Sequence, residues 1–154
     1  MTESGGDPGN HGGGPSGPAD ADEERALELA HRVFDHARNG RSRELAGYLD
    51  AGVPVNSTDT DGNSLLMLAC YHGHPATVRV LLQRGADPDR VNGRGQTPLS
   101  GAVFQGQRDV VTALVAADAD PYLGEPNALE SARFFGRADL WDLLGIRPDG
   151  SDES

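Results

Sequence analysis

Along residues 59–122 the apolar positions fall into short helical periods punctuated by glycine. In "TDGNSLLMLACYHG" a hydroxyl residue, Ser64, precedes an apolar run that closes at Gly73. The next run places Val78, Leu81 and Leu82 at helical spacing and closes at Gly85. Each feature has a local reason. A serine or threonine side chain caps the free N–H groups of a helix start, as Ser64 and Thr97 are placed to do. Proline in a first helical turn, as at Pro98, loses no hydrogen bond. Glycine accepts the left-handed conformation in which many helices end. The stretch "ADPDRVNGRG" then carries the chain outward through a turn. The pattern predicts a unit of turn, helix, turn and helix.

The unit recurs. At an offset of 33 residues, Gly62 meets Gly95, Leu66 meets Leu99, Ala69 meets Ala102, Val78 meets Val111 and Leu81 meets Leu114. Residues 59–89 and 92–122 share nine identities at that offset, the "ADP" tripeptides among them. Backwards, Gly40 and Gly52 lie 33 residues before Gly73 and Gly85; forwards, Gly136 lies 30 after Gly106. A fixed period of this length marks a stack of repeats and outranks any local motif. Gly93-Arg94-Gly95 is therefore read as the tip of a turn between units. A phosphate-cradling loop would follow a buried strand and carry a lysine, and the sequence offers neither. The outer copies are more polar on one side, as terminal units need. In the first, Leu29, Val33 and Ala37 alternate with Glu28, Arg32, Asp35 and Arg38, and Leu45 and Leu49 with Arg43, Glu44 and Asp50. In the last, Leu129, Ala132, Leu140, Leu143 and Leu144 are expected inward, and Trp141, standing where Val111 stands one copy earlier, is expected in the core seam.

These residues resemble the ankyrin repeat, whose signature runs D-x-x-G-x-T-P-L-H-x-A-A-x-x-G-H and ends L-L-x-x-G-A-D-x-N. One copy matches at Asp59, Gly62, Leu66, Ala69, Gly73, His74, Leu81, Leu82, Gly85, Ala86 and Asp87. The next matches at Asn92, Gly95, Thr97, Pro98, Leu99, Ala102, Gly106, Ala119 and Asp120. The resemblance implies an all-α repeat solenoid of about four helix-turn-helix units, two central and two capping, linked by short hairpin turns. The repeats are expected at about 25–58, 59–91, 92–124 and 125–146, within a domain spanning 23–146. Three departures stand out. Met67 and Ser100 occupy the histidine position, which puts in question the usual threonine–histidine hydrogen bonding between units. Gly101 lies inside a helix, at a cost of about 1 kcal/mol relative to alanine. Asp118 replaces a helix-ending glycine, and Asp is among the few other residues that accept left-handed geometry.

Charge changes the picture at the ends. The formal net charge is −11, yet residues 25–148 hold 15 acids and 13 bases, every base an arginine. The excess acid lies in residues 1–24 and 149–154; residues 1–22 and 147–154 are expected to be disordered tails because they carry too little apolar surface to offset ordering entropy. A chain this acidic is a poor fit for nucleic-acid phosphate. It has no apolar run near 18 residues and no signal-peptide core, so a cytoplasmic protein without membrane contact is expected. The single cysteine, Cys70, cannot form an internal disulfide.

Candidate chemistry is sparse. Cys70, His72 and His74 form "CYHGH", which carries zinc-ligand types, but alternate residues of a helix diverge and His74 is the ordinary family residue. Asp59 and Asp61, and Asp87 and Asp89, sit in turns, where Asp bonds to nearby backbone. No catalytic residue, cofactor or metal is expected. The sharper candidate is a column: Tyr71, Phe104 and Phe134 each stand two residues before a helix-ending glycine, followed by His72, Gln105 and Phe135. In an ankyrin-like arrangement these lie at the concave edge, beside hairpin tips that supply Asp61, Asn63, Arg94 and Gln96. Two readings of Phe104 and Phe134 stay open, interface anchors or core between helices. The expected function is a monomeric, non-catalytic module that binds a protein partner through this face, as adaptor, scaffold or inhibitor. The alternative is a dedicated regulatory or immunity-like subunit of one bacterial enzyme, in a setting such as stress response.

Overall fold

In the computed structural model, the backbone is described for residues 18–144 and side chains from residue 21 onward. The expected tails at 1–17 and 147–154 lie outside the described residues. Among them are eight helices: α1 (Pro18–Asn39), α2 (Ser42–Asp50), α3 (Leu65–Tyr71), α4 (Pro75–Gln83), α5 (Pro98–Gln105), α6 (Arg108–Ala116), α7 (Ala128–Phe134) and α8 (Ala138–Leu143). None is long and apolar enough to cross a membrane. α1 begins at Pro18, so residues 18–22, which composition assigns to the leading tail, are helical. A helical conformation needs no core of its own there, because it continues the helix that follows.

The chain divides into two units, with the boundary after Val33 inside α1. The first unit, as described, is the leading part of α1. It is mostly exposed, carries a loose Arg25–Asp22 pair at 3.7 Å, and leaves Leu27 in solvent. The second unit holds the repeats. α3, α5 and α7 pack side by side in one row, and α2, α4, α6 and α8 in a second; α3 with α4, α5 with α6, and α7 with α8 form the pairs.

The helices start where the sequence says. Ser64 accepts a hydrogen bond from Met67 N at 3.0 Å and Thr97 from Ser100 N at 3.1 Å. Asn127 and Glu130 close a reciprocal capping box at the start of α7. They also stop as expected: Gly106 caps α5 at φ +69°, and Asp118 takes φ +68° in the loop after α6. Gly95 lies at φ +78° in its inter-unit turn, with no strand before it. The core is aliphatic and runs through the units: Leu65, Leu66, Leu81, Leu99, Leu114 and Leu140 are each essentially inaccessible.

Polar side chains tie each unit to the one before. His74 Nε2 lies 2.8 Å from the Arg38 carbonyl, and the side chains of Gln107 and Arg137 donate to the carbonyls of Gly73 and Gly106 at 3.3 and 3.4 Å. The residue just before α4, α6 and α8 thus satisfies a carbonyl at the end of the preceding unit's first helix. Ser100 supplies the link that the missing histidine put in question. Its hydroxyl accepts from Thr97 Oγ1 at 3.0 Å and donates to the Pro126 carbonyl at 3.1 Å. The expectation for Trp141 is corrected. Val111 is fully buried, with α8 packed against α6, but Trp141 lies on the last described helix and stays half-buried, with the Arg133 guanidinium 5.5 Å above its ring.

Candidate protein-binding groove

The row α3, α5, α7 and the hairpin tips ahead of it enclose an open groove of about 740 Å³. Its two ends differ chemically. Toward the C-termini of the helices it is lined by Tyr71, His72, Phe104, Phe134 and Phe135; toward the tips it is lined by Asn63, Arg94, Gln96, Pro126 and Glu130. Met67, Leu68, Ser100 and Ser131 lie between.

The aromatic end is a continuous strip. The ring centroids of Tyr71 and Phe104 are 5.9 Å apart, those of Phe104 and Phe135 5.7 Å, and those of Phe135 and Phe134 5.1 Å, the last two pairs edge to face. These separations fall in the range where aromatic pairs attract beyond simple burial. The third rung is Phe135, where the spacing of the repeats points to Phe134. Equivalence between units fixes the backbone position, but helices pack roughly 8–10 Å apart, and a ring one residue along still spans that gap. Phe134 instead stands 82% exposed against the edge of Phe135. The core reading of Phe104 and Phe134 fails, since Phe104 is itself 55% exposed.

The polar end is held by the backbone. Asn92, almost buried, accepts from the N–H groups of Arg94 and Gln96 through Oδ1, each at 2.9 Å, and donates through Nδ2 to Asn63 and Gln96. Neighbouring tips are joined edge to edge, Gly93 N to Asp61 O and Glu125 N to Gly95 O, each at 2.9 Å. The groove therefore has a rigid rim. Arg94 stands exposed on it. Partial desolvation against the groove wall, with help from Arg38 and His74, holds His72 below the usual histidine range even though the ring stays largely exposed, which favours a neutral ring near pH 7. Burial also pushes the Tyr71 phenol above its ordinary range.

Of the residues that sequence alone assigns to this face, Asp61 and Gln105 do not line the groove. Asp61 lends its backbone carbonyl to the next tip, and the Gln105 amide donates to the Tyr71 carbonyl at 2.5 Å, closing the end of α3. The residues not anticipated are Met67, Leu68, Ser100, Pro126, Glu130 and Ser131. Glu130 was open to discovery through its Asn127-x-x-Glu130 capping pattern. The zinc-ligand types of "CYHGH" do not converge. Cys70 is fully buried, and burial pushes its thiol far up; His72 is exposed; His74 is engaged with the Arg38 carbonyl. No group of three or more His, Cys, Asp or Glu is placed to hold a metal among the described residues.

Paired helices in two rows, with a lined groove across the first row, define a helical-repeat scaffold. The profile described as ankyrin repeats, in three copies, matches residues 33–124. The chain belongs to the ankyrin-repeat family, whose repeats are generally protein–protein interaction modules and typically non-catalytic. It is 51% identical over 53 residues to an ankyrin repeat protein of Pseudomonas aeruginosa, covering 34% of this chain and 31% of that one. It is 32% identical over 113 residues to an ankyrin repeat-containing protein of Treponema pallidum, covering 71% of this chain and 38% of that one. With the human NAD-capped RNA hydrolase NUDT12 it shares 37% identity over 128 residues, 81% of this chain but 28% of the hydrolase. The chain thus spans well under half the length of these relatives.

Proposed function

We propose that this chain is a non-catalytic binding module that holds one protein partner in the groove across α3, α5 and α7. The observation that carries the reading is the strip Tyr71–Phe104–Phe135: three rings, each touching the next, on an accessible surface, where folding alone would favour burying them. Aromatic side chains held rigid at a surface give large contact area at small entropic cost and are frequent interface anchors. The rim of Asn63, Arg94 and Gln96 surrounds that apolar centre with hydrogen-bonding groups and one cation, the arrangement that sets register and excludes wrong partners. The partner's identity follows from neither the fold nor the rim, since this fold carries many binding functions. An adaptor, scaffold or inhibitor role fits equally.

The test compares the wild-type chain with Phe104→Ala/Phe135→Ala in affinity capture from native lysate, with thermal melts run on both. The expected result is a polypeptide retained by wild type and lost by the variant, while the variant still melts cooperatively. Retention unchanged in the variant would refute the groove as the binding surface.

A further inference from the structure

Glycine in the middle of α5 runs against helix propensity. The equivalent positions in the neighbouring units hold Leu68 and Ser131, so the repeat does not demand glycine there. The structure gives a reason specific to this unit. A Cβ built on buried Gly101 would lie 2.5 Å from Cδ2 and 2.6 Å from Cε2 of Tyr71, closer than real contacts allow. The ring from the preceding unit fills the space a side chain would take. From that seat it meets Phe104 and lines the groove.

We propose that Gly101 is a positioning residue for partner binding: its missing side chain seats Tyr71 as the first rung of the aromatic strip. The inference rests on the groove being the binding surface, and it locates a determinant of binding beneath that surface. An alanine at 101 favours the helix intrinsically but evicts the ring. Tyr71 can leave by rotating its side chain, because it is only half-buried and one side of it already faces the groove. The fold should therefore survive while the strip loses its first rung.

The experiment is a double-mutant cycle on the full chain with Gly101→Ala, Tyr71→Ala and the pair. In the Tyr71→Ala background the seat is vacant, and Gly101→Ala should raise the melting temperature by a few degrees, the gain expected of helix propensity. In the wild-type background the same substitution should lower it or leave it unchanged. The tyrosinate titration of Gly101→Ala, followed by absorbance with Tyr71→Ala as the subtraction, should move Tyr71 down toward the ordinary phenol range as the ring enters water. An equal shift in melting temperature in both backgrounds, or an unmoved titration, would overturn the seat. For the polypeptide that wild type retains from lysate, Gly101→Ala and Tyr71→Ala should each reduce capture about tenfold. Undiminished capture by Gly101→Ala, with Phe104→Ala defective, would overturn the positioning role alone. Undiminished capture by every variant would overturn the groove reading and the binding role of Gly101 with it, even where the cycle upholds the seat.

Discussion

Replacing Ser100 by alanine tests whether the third and fourth units are joined by a side-chain bridge that stands in for the family's histidine. Ser100 is 4% exposed, and its hydroxyl joins Thr97 Oγ1 in its own unit to the Pro126 carbonyl ahead of α7. Alanine removes both bonds and leaves the helix cap intact, because the cap uses the Ser100 backbone N–H. Thr97, 2% exposed, then loses the acceptor for its hydroxyl proton, and a buried donor left unmade costs about 1–3 kcal/mol. Pro126 is an exposed residue, so water can take up its carbonyl and the loss there is the smaller part. A total near 1.5 kcal/mol is expected, equivalent to roughly 5 °C in melting temperature for a domain of this size. The location of the loss is the more demanding test. In a stack, stability is a sum of unit terms and nearest-neighbour terms. Hydrogen exchange should show α7 and α8 losing protection while α3 and α4 keep most of theirs. A variant as stable as wild type, or one that loses protection uniformly, would refute the bridge.

Two further outcomes follow from single sites. The hydrogen bond from Arg137 outweighs the upward push of desolvation and, with a lesser bond from Arg108, holds the Asp139 carboxyl at about 2. Its folded value lies below the ordinary 3.8, so its contribution is complete above about pH 4 and is lost as pH falls through about 2. Urea midpoints of Asp139→Asn should therefore show a flatter acid limb between those values than wild type, and parallel limbs would refute the pairing. Asp118 holds φ +68°, where glycine has no steric cost, so Asp118→Gly is expected to stabilise by up to about 1 kcal/mol in urea unfolding. A clear loss would mean that the Asp118 side chain makes a contact of its own.

The fold was legible because its determinants are local or periodic. Caps at Ser64, Thr97 and Asn127 and the left-handed stops at Gly106 and Asp118 each act within a few residues, and the sequence displays them directly. The start of α1 was hidden for the complementary reason. Residues 18–22 look like the tail by composition, which outweighs the one local start signal there, Pro18 at the first position of the helix. Trp141 was misplaced because its position in the repeat says where its backbone lies, while burial depends on what covers it.

The same periodicity explains why only part of the groove could be read. Where units press together, equivalent positions must fill equivalent space, and they hold one residue type: Leu66 and Leu99; Ala69, Ala102 and Ala132; Leu81, Leu114 and Leu144. Close packing punishes even one methylene of change at such places. Along the groove, and at Gly101 just beneath it, the equivalent positions diverge: Met67, Ser100 and Glu130; Leu68, Gly101 and Ser131; Asn63, Gln96 and Pro126. Most of these are buried as well, and each takes the volume its own neighbours leave: the Tyr71 ring fills the space beside Gly101, and the Ser100 hydroxyl reaches the Pro126 carbonyl. The column Tyr71–Phe104–Phe134 stood out because it stays aromatic in all three units, although its third contact passes to Phe135. The other columns read as ordinary core or cap residues, and Gly101 read as a defect, since its purpose depends on a ring thirty residues earlier. Divergence between units at fixed repeat positions thus runs along the groove, and it places the groove's chemistry in the differences between repeats.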